Sequence, residues 1–369
     1  MAGSTIGTIF RVTTWGETHG KGVGVVVDGC PAGLALCEED IQQYLNRRKP
    51  GQSKYTTKRQ EGDEVEILSG VFEGKTSGTP ISMVVFNKDQ KSRDYSNIKD
   101  IYRPGHADYT FEAKYGFRDY RGGGRSSGRE TIARVAAGAI AAKILKEMGI
   151  EIYAYAKSIG PIQVDPSRFS KEERDRNKLY MPDAIAAKEA ESYLDSCIEN
   201  QDSSGGVVEC LISGMPAGIG DPVFDKLSAL LGQGILSIGA VKGFEIGDGF
   251  AVASSLGSIN NDPFYKEEDH VVKKTNHAGG ILGGMSDGAD ILFRAAFKPT
   301  PSIARPQHTV DRDGEEREIV IHGRHDPIIV PRAVVVVETM AASIVLDRLL
   351  VNMSSRMDYL KVIYDTIKK

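Results

Sequence analysis

The chain has 369 residues, 40% hydrophobic and 26% charged, with a formal net charge of −4. That is the profile of a soluble globular protein long enough for one large or two ordinary domains, and its negative balance argues against a general nucleic-acid or anionic-membrane surface. No run approaches the roughly 18 apolar residues of a membrane span, Cys30, Cys37, Cys197 and Cys210 form no C-x-x-C pair or zinc-ligand spacing, and the opening residues lack a signal-peptide pattern; the expectation is a cytoplasmic protein with buried, reduced thiols.

The first motif is TTWGETHG, where His19 follows Thr18 between Gly16 and Gly20. Imidazole moves protons near neutral pH, and flanking glycines give it little local packing; the residue reads equally as a ligand-facing group or a turn cap. Trp15, the sole tryptophan, is expected in the core. Gly22–Asp28 reads as a strand and Glu38–Arg48 as a helix whose acidic start and basic end suit the helix dipole. Asn46–Arg59 carries Arg47, Arg48, Lys49, Lys54, Lys58 and Arg59; it is either a solvated basic loop or a lid that grips phosphate. Glu64–Phe72 and Ile81–Asn87 follow as strands.

The stretch Arg103–Arg134 is the richest in chemistry. RPGHAD contains Arg103 and His106, and GGGRSSGRE leads into a long Ala-rich helix over Gly128–Met148. Ser126 and Ser127 stand where N-cap residues belong, so free N–H groups and the positive dipole end would meet Arg121, Arg125 and Arg129, a ready anion site. The bland alternative is a structural cap with exposed arginines. Neither a P-loop nor G-x-G-x-x-G is present.

Further along, Glu151–Ser158, Val207–Ser213 and Asp290–Phe297 read as strands, and Pro182–Ile198, Asp221–Leu231 and Arg332–Leu350 as helices. Charge-rich Asp165–Asn177 reads as a flexible surface connection. NHAGGILGGMSDG, with His277, Gly283 and Gly284, would let a flat ligand approach the backbone. Lys298–Ser302 (Lys298, Pro299, Thr300, Pro301, Ser302) could cradle a phosphate, and HGRHDP places Arg324, His325 and Asp326 together. Hairpin-like pairs mix with helices in no strict βαβ order, so the fold class is α+β with antiparallel sheets, in a single domain over 1–369. The residues together point to an enzyme that binds a multiply anionic small molecule and handles protons or a leaving phosphate.

These segments resemble the chorismate synthase family over nearly the whole chain. The family's G-E-S-H-G, R-P-G-H-A-D and R-S-S-x-R-E stand here as GETHG at 16–20, RPGHAD at 103–108 and RSSGRE at 125–130. DSSGG at 202–206, AVKGFEIGDGF at 240–250, NHAGGILGG at 276–284, KPTPSI at 298–303 and GRHDP at 323–327 add to the match. The resemblance implies a β-α sandwich, two antiparallel sheets enclosing a helical layer, assembled as a homotetramer. It implies formation of chorismate from 5-enolpyruvylshikimate 3-phosphate by anti-1,4-elimination, with reduced FMN lending and recovering an electron.

Carried over by position, His106 resembles the histidine that protonates the leaving phosphate, and His19 the one that keeps reduced flavin anionic. Asp326 resembles the carboxylate that works with flavin N5 on the C6 proton. Thr18, in place of the family's Ser, and Ser127 resemble site hydroxyls. FMN contacts are implied for Arg125, Ser126, Ser127, Gly239, Ala240, Gly283, Lys298–Ser302 and Arg324. Substrate contacts are implied for Arg48, Lys54, Arg103, Arg125 and Arg324. Arg48 and Lys54 also match a pair associated with NADP, and Lys54 keeps the charge but not the fork of the usual Arg. The flavin's reductant is either NADPH used by the protein itself or an external flavin reductase. Competing classes are a flavin oxidoreductase with net hydride transfer and a non-catalytic binder of phosphorylated metabolites.

Overall fold

The computed structural model describes residues 3–56, 62–88, 99–321 and 326–368. Short Val- and Ile-rich runs build two main sheets. The first holds β1 (Thr5–Ile6), β2 (Arg11–Gly16), β3 (Gly22–Asp28), β4 (Val65–Ile67) and β5 (Ile81–Phe86), ordered β1-β2-β3-β5-β4 and antiparallel throughout. The second holds β6 (Glu151–Ile159), β7 (Ile162–Gln163), β8 (Gly206–Ser213), β9 (Val241–Ile246) and β10 (Ile291–Phe297), ordered β9-β10-β8-β6-β7, again antiparallel. Helices of eight residues or more are α1 (Glu38–Arg48), α2 (Asp108–Tyr115), α3 (Thr131–Glu147), α4 (Ala184–Glu199), α5 (Leu227–Leu236), α6 (Val330–Asn352) and α7 (Met357–Ile367).

The helices α3 and α6 form the middle of the sandwich. Helix α3 packs on β2, β3 and β5 of the first sheet and, on its other side, against α6; α6 in turn packs on β6 and β8 of the second sheet. Helix α1 leans on both central helices, and α5 fills between α6 and β9. This is the expected α+β sandwich of antiparallel sheets around a helical layer. Every residue of α6 from Ala333 to Leu349 is buried, and a helix covered all round belongs in an interior.

Such a position forces the few charged residues on α6 to be paired. Glu338 accepts two bonds from the Arg47 guanidinium, at 2.7 and 3.0 Å. Asp347 Oδ1 accepts the backbone N–H groups of Thr8, Ile9 and Phe10 at 2.9, 2.7 and 3.0 Å, while its Oδ2 accepts from Arg348 at 2.6 Å.

The crossing of α3 and α6 is tight enough to require glycine. A Cβ on Gly138 would lie 2.2 Å from the Thr339 carbonyl oxygen and 2.5 Å from Thr339 Cβ. Alanine is the better helix former by about 1 kcal/mol, yet overpacking a core contact typically costs about 1–3 kcal/mol, and here the obstacle is backbone. Gly138→Ala is therefore expected to lower the urea midpoint. A variant as stable as the parent would show that the two helices can separate freely.

Several sequence expectations are corrected. The run 64–72 is no single strand: it breaks after Ile67 at a turn where Gly70 has φ +83°, and its first part pairs with β5, which lies between it and β3. The long helix begins at Thr131, after a 3-10 turn over Gly128–Glu130. Helix α5 starts six residues beyond the expected Asp221 because Val223–Asp225 forms a separate 3-10 turn. The run 165–177 contains a helix at Lys171–Arg176, with the Arg174 guanidinium 4.2 Å above the Tyr153 ring. Trp15 is 41% exposed and covers Gly24, whose lack of a side chain leaves room for the indole. Cys37 is exposed at the start of α1, whereas Cys30, Cys197 and Cys210 are buried and free.

Candidate active site

The basic run after α1 folds inward. Arg48 is buried and donates to Asp63 Oδ2 at 2.6 Å and to the Gly128 carbonyl at 3.3 Å. Asp63, also buried, takes a second guanidinium through Arg129 Nη1 at 3.0 Å. It holds this place with φ +47°, a left-handed conformation that Asp tolerates better than most residues. Arg332, in the first turn of α6, donates to the Arg48 carbonyl at 3.0 Å and to Asp326 at 2.8 Å. Among the described residues, three guanidiniums thus meet two carboxylates.

The electrostatics follow from burial. Burial alone would raise the Asp63 pKa, but Arg48 and Arg129 outweigh it and hold the carboxyl below its ordinary range. Burial pushes Arg48 down to about 10, with Asp63 opposing and Arg332 and Arg129 adding to the fall. The guanidinium stays charged at neutral pH, and its Nε is buried without a hydrogen bond among the described residues. An anion placed here would relieve the crowding of like charges.

The second part of the site is built around His106. Its Nε2 lies 2.7 Å from Ser302 Oγ, and Ser302 is buried. Lys298 Nζ donates to the Gly105 carbonyl at 2.7 Å, and burial, with Lys242 nearby, lowers its pKa. A Cβ on Gly105 would come within 2.8 Å of Pro301, so the bare glycine lets RPGHAD nest against KPTPSI. Ser203 Oγ donates to the Thr300 carbonyl at 2.7 Å, and the Ser204 N–H to the Pro327 carbonyl at 2.9 Å. The DSSGG segment thereby ties the 298–302 turn to the chain just after Asp326. Thr300 Oγ1 is buried and makes no hydrogen bond among the described residues.

The arginine-rich turn joins these parts. Arg125 donates to the Gly16 carbonyl at 3.2 Å and to Thr14 Oγ1 at 2.6 Å, pinning the turn to the end of β2. Ser127 Oγ caps the 3-10 turn by accepting the Arg129 N–H at 3.3 Å. The Ser126 carbonyl lies 3.9 Å from where a Gly239 Cβ would stand, and the Ala240 carbonyl accepts the Lys298 N–H at 3.0 Å. Thr18 is buried, its Oγ1 3.5 Å from the Gly124 carbonyl. His19, half-buried, lies close enough for its charge to lower the pKa of Asp119, whose main stabiliser is Arg121.

Other expected residues have partners of their own. Lys54 is on the surface, paired with Asp195 of α4 at 2.7 Å. Arg103 is buried in a two-pronged bond to Asp108, 2.7 Å on each prong. The turn containing Gly283 docks at the start of α5, where the Gly284 carbonyl accepts the Leu227 N–H at 2.7 Å. His277 is held by Asp248 at 2.7 Å. Arg324, His322, His325, Lys58 and Arg59 lie outside the described residues. Asp63, Asn87 and Arg332 are central here but were not singled out from sequence; their roles depend on partners 15 to 284 residues away.

Antiparallel sheets around a helical layer, with imidazoles and buried guanidiniums stitched together by loops, define a fold and site suited to acid–base work on a small polyanion. Comparison makes this specific. The model of the family described as chorismate synthase matches residues 10–350. Proteins named chorismate synthase are similar at 66% identity in Lachnoclostridium phytofermentans, over 99% of this chain and all of the relative, and at 65% in Agathobacter rectalis, over 99% of both. One from Chloroflexus aurantiacus is 54% identical over 95% of this chain and 96% of its own. A solved structure described as the crystal structure of chorismate synthase is similar with a TM-score of 0.76 at 32% identity, over 98% of each chain. The chain belongs to the chorismate synthase family.

Proposed function

We propose that this enzyme converts 5-enolpyruvylshikimate 3-phosphate to chorismate and inorganic phosphate by anti-1,4-elimination. The C3–O bond to phosphate breaks, a proton leaves C6, and the product gains one double bond. The observation that best supports this reading is the pairing of a proton-carrying imidazole, His106 on Ser302, with a buried guanidinium cluster on loops joined by hydrogen bonds. The substrate's phosphate and two carboxylates call for such a cluster.

The chain's own residues divide the work. Arg48 and Arg129 form a cationic wall for substrate, a role the family resemblance also implies for Arg324, and Arg103 stiffens the adjoining loop through Asp108. His106, oriented by Ser302, gives a proton to the departing phosphate. Asp326, held by Arg332, is the carboxylate on the proton-accepting side. Thr18 and Ser127 supply hydroxyls at the turn between these groups.

The residues also fit reduced FMN. The cluster gathers three guanidiniums, Thr300 Oγ1 is buried without a hydrogen bond among the described residues, and the turns at 125–127, 239–240 and 298–302 adjoin. These turns would hold the flavin and its phosphate, with His19 keeping the flavin anionic. When bound, reduced FMN supplies an electron to the developing allylic centre and takes it back. Its electrons come, in this reading, from an external flavin reductase, so NADPH with oxidised FMN is expected to give no chorismate.

Phe224 and Phe250 are 89% and 84% exposed, and such apolar surface supports assembly, here as a homotetramer. No helix among the described residues is long and apolar enough to cross a membrane, in keeping with a cytoplasmic enzyme. The decisive assay is anaerobic, with purified protein, substrate and chemically reduced FMN. Chorismate and phosphate are expected to appear together, one for one, without net flavin oxidation. Reduced flavin bound but no chorismate formed would overturn the reading.

A further inference from the structure

We propose that Asn87 is a positioning residue that locks the His19 loop to the guanidinium cluster. Asn87 directly follows β5, and its backbone N–H donates to the Lys21 carbonyl at 3.0 Å, continuing the ladder by which β3 and β5 pair. The ladder delivers its side chain to the mouth of the GETHG turn. There the amide nitrogen donates to the Glu17 carbonyl at 2.9 Å and to the Gly20 carbonyl at 2.8 Å, one on each side of Thr18 and His19. The amide oxygen accepts from Arg129 Nε. Arg129 in turn binds Asp63, which binds Arg48.

One planar carboxamide therefore satisfies two acceptors on the loop and one donor on the cluster. Only Asn or Gln offers that combination of two donors and an acceptor, and Gln would carry it one methylene further from the β5 backbone. Asp would keep the acceptor for Arg129 but set a carboxylate against two carbonyl oxygens. The His19 loop would then lose its anchor while the guanidiniums kept theirs. The consequence falls on placement of His19 and Thr18, not on the charge that binds substrate; small misplacements of that kind can lower turnover by up to about 100-fold.

The inference rests on the reading of His19 as a site residue, and the experiment separates the two. Asn87→Asp and Asn87→Ala are compared with the parent and with His19→Ala. The expected result is a fall in kcat of roughly 10–100-fold in both Asn87 variants, with KM for the phosphorylated substrate within about threefold in Asn87→Asp. The ligand-free protein, its imidazoles labelled with 15N, gives a second readout in which the His19 titration midpoint moves in both variants. Parent-like kcat together with an unmoved His19 titration would overturn the proposal, as would a loss carried wholly by KM. Should His19→Ala retain full kcat, the functional reading of His19 fails, and the titration still decides whether Asn87 sets the loop. If Asn87→Asp does not fold, Asn87→Ala carries both readouts.

Discussion

Replacing His106 by alanine is expected to lower turnover by roughly 10²–10⁴-fold, the contribution of a general acid–base group, while binding of the phosphorylated substrate changes little. The separation of the two effects follows from the geometry. His106 is held by Ser302 on one side of the site, whereas the guanidiniums that attract the phosphate are anchored by Asp63 and Asp326. Removing the imidazole leaves those anchors intact. Steady-state kinetics with reduced FMN, paired with substrate binding by calorimetry, checks this. Turnover close to the parent would remove His106 from the proton path, and a loss confined to affinity would recast it as a binding group.

The largest stability effect is expected at Asp63. Asp63→Asn leaves Arg48 buried beside Arg129 and Arg332 with its main counter-charge gone, and breaking a buried pair from one side typically costs about 3–5 kcal/mol. The sign of the pH dependence is fixed. The folded pKa of Asp63 lies below its ordinary value, so the unfolded chain binds the extra proton. The stabilisation is complete above the ordinary carboxylate range near about pH 4 and is lost as pH falls through the folded value. Denaturant unfolding should accordingly show a parent-minus-variant difference that shrinks below about pH 4. Inorganic phosphate should raise the melting temperature of the variant more than that of the parent, since an added anion replaces the missing charge. Equal stability at neutral pH would mean that the guanidiniums find other partners.

Much of the framework could be read from spacing. Helix α1 lies at its expected bounds because its acidic start, basic end and inward Ile41 and Leu45 agree. The cores of α3 and α6 follow from long apolar repeats. Strands β2 and β9 escaped because Thr, Trp, Lys and Gly interrupt their apolar pattern, and only pairing with β3 and β10 gives them order. Helix α2 escaped because Asp108 is its one buried residue, so it has no apolar stripe to detect. The site divides in the same way. His19, His106 and the RSSGRE turn stand out as polar residues among glycines. Asp63 and Asn87 look like ordinary loop and strand-end residues, and their importance comes from the groups that folding brings to them.

The carboxylate of Asp347 has a bearing on how the chain reaches this state. It receives three consecutive N–H groups from residues 337 to 339 positions earlier. Synthesis delivers the N-terminal strands long before α6 exists, so the turn between β1 and β2 is made well before the carboxylate that caps it. The helix that carries the acceptor for this turn is thus among the last to leave the ribosome. Contacts of such separation make folding slow, and a chain stopped before α6 would leave the three N–H groups of that turn without their carboxylate acceptor.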